Sequence, residues 1–158
     1  MQNHDKQQAK SKKKQIQKIL FPLDFASNFE TLVPWVSTLA QKFDATVYVL
    51  FVAQDLKHFA SFYVPHGNIE DFQQQSIDSA KKRMAAAVQE MSKDFPKLEP
   101  RVELGDPAEK ILAFARQEHI DLIVMGSQGR SGLDRMIFGS VANKVVKGAS
   151  CPVLTVHP

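Results

Sequence analysis

Four of the chain's seven glycines, Gly126, Gly129, Gly132 and Gly139, fall in the short stretch that follows an apolar run, Ile120 to Met125. Glycine serves where a backbone takes positive φ or comes close to a ligand. A cluster of them at the end of a strand is what a phosphate-cradling loop requires. Gly139-Ser140 then opens an apolar helical stretch with Val141, Ala142, Val145 and Val146. The first N–H groups of a helix have no intrahelical acceptor, the macrodipole favours an anion there, and a serine hydroxyl adds a donor. One loop thereby offers two places for phosphates. The plainer alternative is a β-to-α connection with turn glycines and a serine cap. Against it, the thirteen intervening residues exceed the usual length of about 2 to 6.

Other side chains extend the constellation. Asp24 closes the apolar run Lys18 to Asp24 (KILFPLD); as an acid at a carboxyl edge it either faces a ligand or merely caps the turn that follows. Arg130, inside the glycine cluster, either complements phosphate charge or is a solvated loop cation. No G-x-x-x-x-G-K-[ST] occurs and no G-x-G-x-x-G follows a strand, which sets aside the P-loop and the dinucleotide fingerprint. His58, His66 and His119 lack metal-ligand spacing. Cys151 has no catalytic partner in view and reads as packing. With a phosphate cradle, an acid and a cation but no water-orienting base for phosphoryl transfer, the residues point to binding rather than turnover.

These residues need a scaffold, and the hydropathy pattern supplies one. Ser27 to Glu30 has the S-x-x-E form of a capping box. Phe29, Leu32, Val33, Val36, Leu39, Ala40 and Phe43 follow at helical spacing. Pro34 then requires either that Thr31 be the true cap, with the proline in the first turn, or that the helix be kinked. Ala45 to Val52 is a strand covered on both faces. A longer helix runs from about Ile69 to Phe95, ended by Pro96, and Arg101 to Leu104 is a strand. Asp106 caps a helix with Pro107 at its first position and Glu109 reaching back, ending near His119. Ile120 to Met125 and Pro152 to Val156 are the last two strands. Five strands separated by four helices predict an α/β domain with a doubly wound parallel sheet and helices on both faces. Ligands bind such sheets beyond the carboxyl ends of the strands, where strand order reverses. With the order 3-2-1-4-5 the reversal lies between strands one and four and brings Asp24 and Gly126 together.

The glycine pattern, G-x2-G-x9-G-S from Gly126 to Ser140, resembles the universal stress protein family and specifically its ATP-binding branch. The resemblance spans roughly Lys18 to Val156 and includes ILFPLDFAS, GDPAEKILAFA, IDLIVMGSQGRSGLDRMIFGSVANKVV and CPVLTV. It implies a Rossmann-like fold and an adenine nucleotide, ATP with or without Mg²⁺. Pro22, Leu23 and Asp24 would contact adenine and ribose. Val52, Met125 and Gly126 would line the adenine pocket. Gly129 and Arg130 would lie by ribose and phosphates, and Gly139, Ser140 and Val141 would hold the phosphates. Gln128 stands where the family often has His, which leaves backbone contacts intact but not a side-chain role. The resemblance also implies a homodimer made by pairing the last strands, Pro152 to Val156, and a regulatory output through a protein partner yet to be identified.

Composition bounds what remains. At 158 residues, 44% hydrophobic and 23% charged, the chain is sized for one domain. The first 18 residues carry a net +5, so the other 140 are net −2 against the chain's +3. Residues 1–16 read as a basic, solvated tail, and 17–158 as a single nucleotide-binding domain. Such a tail can meet nucleic acid only through phosphate charge, which makes a nucleic-acid module the third reading, after the ATP-dependent regulator and a slow Mg-dependent ATPase or nucleotidyl-transfer enzyme. The longest apolar stretch, Val47 to Ala53, is far below the ~20 residues that cross a bilayer. With no secretory pattern and a single cysteine, a cytoplasmic, membrane-free protein is expected.

Overall fold

The computed structural model describes residues 14–27, 29–55, 69–127 and 139–157. Five strands, β1 (Lys18–Leu23), β2 (Thr46–Ala53), β3 (Leu98–Leu104), β4 (Leu122–Gly126) and β5 (Val153–Val156), form one sheet in the order β3-β2-β1-β4-β5. Every pairing is parallel. Among the described residues four helices connect them: α1 (Val33–Phe43), α2 (Ile69–Met91), α3 (Pro107–Gln117) and α4 (Ser140–Gly148). The expected doubly wound architecture and its strand order are both present.

Alternation along the strands sorts their side chains into two layers. Ile19, Phe21 and Leu23 of β1, with Val47, Val49 and Val124, meet Val36, Ala40, Met84, Ala87 and Met91 of α1 and α2. Leu20, Leu50, Ile123 and Met125 meet Ile111, Phe114, Ala142 and Val145 of α3 and α4. Ile19, Leu20 and Phe21 are consecutive and all fully buried, which only a strand covered on both faces permits. Where α4 closes on α3, a Cβ at Gly148 would sit 2.8 Å from Leu112 Cδ1, so glycine lets the two helices meet.

Some expected boundaries shift, each for a physical reason. Ser27 caps no helix: its hydroxyl donates to the Asp24 carbonyl at 2.9 Å, and Phe29–Thr31 forms a single 3-10 turn instead. α1 begins at Val33 with Leu32 at its cap position, no side-chain cap bond, and Pro34 in the first turn, so neither a Thr31 cap nor a kink is needed. The predicted apolar stripe runs out at its far end, where Phe43 is exposed. α2 stops at Met91, before Pro96; Phe95 nevertheless enters the core from the turn beyond. β3 starts at Leu98, three residues earlier than expected, and includes Pro100, which an edge strand tolerates.

Candidate functional site

At the carboxyl edge the strand order reverses between β1 and β4. β1 pairs with β2 as far as Leu23–Phe51, but its pairs with β4 are Ile19–Leu122 and Leu20–Ile123 only. Both strands continue past their last shared pair, and Pro22 has no N–H to offer either neighbour. The two chain ends that leave this unladdered gap are Asp24 and Ser127.

The turn after β1 is tightly specified. Asp24 Oδ1 accepts the Ala26 N–H at 2.9 Å, and the Asp24 carbonyl accepts the Ser27 N–H at 3.0 Å. The turn-capping reading of Asp24 is therefore realised by one carboxylate oxygen, at a half-buried residue on the edge where a ligand would lie. Gln73 of α2, buried, reaches the Gln54 carbonyl after β2 at 3.5 Å.

Opposite this turn the helix starts differ in one decisive respect. Asp106 caps α3 with its own carboxylate, which accepts the Glu109 N–H at 3.0 Å. Gly139 caps α4 with no side chain at all. The first intrahelical bond runs from the Asn143 N–H to the Gly139 carbonyl at 2.9 Å, so the amides of Ser140, Val141 and Ala142 precede the helical ladder. The exposed Ser140 hydroxyl stands beside them. Lys144 Nζ lies 3.8 Å from Asp106 Oδ2 and ties the two helix starts together.

The described glycines of the cluster, Gly126 and Gly139, do not have positive φ. Gly139 has φ −57°, a value any residue adopts, and among the described glycines only Gly105 is positive, at 144°. Gly126 ends β4 and Gly139 stands at the cap of α4. Gly129 and Gly132 lie outside the described residues, as do Gln128 and Arg130.

Of the expected adenine-pocket lining, Val52 and Met125 belong to the layer beneath α3 and α4, as does Val141 of the expected phosphate site. Leu23 does not: its side chain is buried in the opposite layer under α1 and α2, which leaves only its backbone at the edge. Pro22, the residue before it, is half-buried. Among the described residues no three His, Cys, Asp or Glu side chains group as metal ligands, and no described helix is long and apolar enough to cross a membrane.

A sequence model of the universal stress protein family matches residues 15–157. The chain belongs to that family. A universal stress protein of Methanocaldococcus jannaschii is 32% identical over 140 residues, covering 88% of this chain and 81% of its own length. Universal stress protein A homolog 2 of Coxiella burnetii is also 32% identical, over 143 residues, 89% of this chain and 94% of its own. Among solved structures, the universal stress protein UspA from Lactobacillus plantarum superposes with a TM-score of 0.73 at 25% identity, over 90% of this chain and 99% of that one.

Within this universal stress protein fold, two residue groups at the edge carry no recognisable sequence signal. Ser127 is buried, donates its N–H to the Val156 carbonyl at 2.9 Å, accepts the Gly139 N–H at 2.8 Å, and pairs its hydroxyl with His157 Nδ1 at 3.1 Å. Arg83, one exposed cation among several on α2, reaches the Phe25 carbonyl at 3.1 Å. Both are contacts between residues distant in sequence, which no local pattern encodes.

Proposed function

We propose that this universal stress protein binds ATP, with Mg²⁺ carried on the phosphates, and acts as a regulator whose output is binding rather than turnover. The phosphates lie on the Ser140 and Val141 amides and the Ser140 hydroxyl, with Gly139, Gly129 and Arg130 beside them. Asp24 accepts from the ribose hydroxyls. Adenine lies against Pro22, Val52, Met125 and Gly126 and the backbone of Leu23, with Gln128 contributing through its backbone. When bound, ATP supplies negative charge and hydrogen-bond acceptors at the start of α4, altering a surface read by a protein partner.

The observation that carries this reading is the contrast between Asp106, which satisfies its own helix start, and Gly139, which satisfies none. An uncapped start beside a serine hydroxyl is a donor set matched to phosphate. Two fold neighbours support an adenine nucleotide. The universal stress protein from Archaeoglobus fulgidus was solved in complex with dAMP (TM-score 0.64, 24% identity, 88% of this chain and 96% of that one). Another universal stress protein was solved in complex with cAMP (TM-score 0.58, 20% identity, 91% and 98%).

A homodimer through β5 belongs to the same proposal. The sheet has two edges: β3 carries Glu99, Pro100, Arg101 and Glu103, which discourage strand addition, whereas β5 reads Val-Leu-Thr-Val with Leu154 38% exposed.

Calorimetric titration of the full chain with Mg-ATP tests the reading. Stoichiometric binding is expected, weakened at least about tenfold by Ser140→Ala, which removes a hydrogen bond to a charged group. Absence of heat with the wild type would overturn it. Sustained hydrolysis abolished by both Ser140→Ala and Asp24→Ala would replace the regulator with an enzyme.

A further inference from the structure

Asp24 points as its turn dictates, and the turn is held from outside. Its second residue, Phe25, is gripped by three separate elements. The Phe25 ring lies tilted against Phe51 of β2, centroids 4.7 Å apart, and edge-on to Phe29 of the 3-10 turn at 6.0 Å. From α2 the Arg83 guanidinium lies 4.6 Å from the ring centroid while its Nη2 donates to the Phe25 carbonyl at 3.1 Å. A planar guanidinium can stack on a ring and donate in its own plane at the same time, which an ammonium cannot. Either side of Phe25, Asp24 Oδ1 takes the Ala26 N–H, and the Asp24 carbonyl takes both the N–H and the hydroxyl of Ser27. These bonds make Asp24 to Ser27 one rigid unit, and Arg83 pins that unit to α2.

We infer that Arg83 is a positioning residue for the ribose end of the site, acting through Phe25 on the Asp24 carboxylate. The inference rests on the nucleotide reading above and deepens it. It gives the site a specificity for ribose hydroxyls that is set by a helix more than fifty residues away in sequence. The phosphate end, built on α4, is independent of it.

The test exploits that independence. Full-length wild type, Arg83→Met and Arg83→Lys are titrated with ATP, 2′,3′-dideoxy-ATP and inorganic tripolyphosphate. Arg83 is exposed, and Met keeps both helix propensity and an apolar stem, so the variant folds. Arg83→Met weakens ATP about fivefold, the combined scale of an exposed cation–π contact and one hydrogen bond. Its affinities for dideoxy-ATP and tripolyphosphate match those of the wild type. Arg83→Lys, able to donate but not to stack, restores part of the ATP affinity. Equal losses for all three ligands would show general damage to the edge and overturn the assignment, as would no loss for any. If the wild type itself fails to bind ATP, the nucleotide reading falls and takes this one with it. Wild-type binding without the ligand split defeats the Arg83 assignment alone.

Discussion

The Gly139 N–H donates to the Ser127 carbonyl at 2.8 Å, so the residue that caps α4 is hydrogen-bonded to the residue that leaves β4. The connection between them therefore begins and ends at one point on the carboxyl edge, and the first amides of α4, which take no side-chain cap from Gly139, open directly beside it. This geometry gives Gly139→Asp opposite effects on stability and binding. With φ −57° and ψ 155° the backbone there is one that any residue adopts. An aspartate there would cap α4 as Asp106 caps α3, stabilising the fold by a few tenths of a kcal/mol, about the difference between Asp and Gly at a cap. The same carboxylate would occupy the phosphate donors and repel the ligand. Thermal unfolding should show a midpoint equal to or above that of the wild type, while calorimetry shows ATP affinity reduced at least about tenfold.

Local structure around the candidate site is legible where the bonds that make it are local. G-D-P-A-E at residues 105–109 encodes a helix start whose cap, proline and acid act within one turn, and the Asp106 bond forms as expected. The Gly139-Ser140 start of α4 is equally local. The capping-box pattern at Ser27 misled because a serine hydroxyl has a competing acceptor, the Asp24 carbonyl three residues back, whose bond makes a turn rather than a helix. The resemblance places Leu23 at the nucleotide with its neighbours; period-two alternation turns its side chain to the other layer and leaves its backbone for that contact. Arg83 and His157 were invisible because each acts across a gap of 30 residues or more.

The Ser127–His157 pair should behave as one unit. Their contact is part-buried at 3.1 Å, and Ser127→Ala deletes it while leaving both backbone bonds of residue 127 in place. The expected loss is about 1 kcal/mol, the net value of a single hydrogen bond. His157→Ala costs a similar amount, and the double variant costs little more than either single change. Urea unfolding of the three variants measures this; additive losses would mean that the two side chains act separately.

Cys151 sits half-buried against the α3–α4 layer. Burial pushes its thiol pKa up, opposed by the charge of Lys14 and assisted by that of Asp121. A thiol whose pKa is higher folded than unfolded holds its proton longer in the native state. Its contribution to stability is therefore complete below the unfolded value, about 8.5, and is lost as pH rises through the higher folded value. Urea midpoints should fall between pH 8 and pH 10, roughly the window around that unfolded value, and more steeply in the wild type than in Cys151→Ala. Alkylation of the native thiol at pH 8 should be slower than that of the urea-unfolded chain.

Gly105 separates backbone strain from crowding at the other end of the sheet. Its N–H donates to the Ala53 carbonyl at 2.9 Å, tying the end of β3 to the end of β2 beside Val52. Its φ of 144° is one that L-residues rarely adopt, and an added Cβ would lie 2.9 Å from Lys110 Cε. The Lys110 chain end can move aside, because its ion pair with Glu103 at 3.5 Å is solvent-exposed on both sides and worth little. The dihedral cannot be relieved without moving β3 and the Asp106 cap that follows it. Gly105→Ala should therefore cost about 1–3 kcal/mol, the scale of a residue held in a sparsely populated region. Adding Lys110→Ala separates the two causes. If the loss persists in the double variant by urea unfolding, the strain lies in the backbone; full recovery would assign it to the lysine contact.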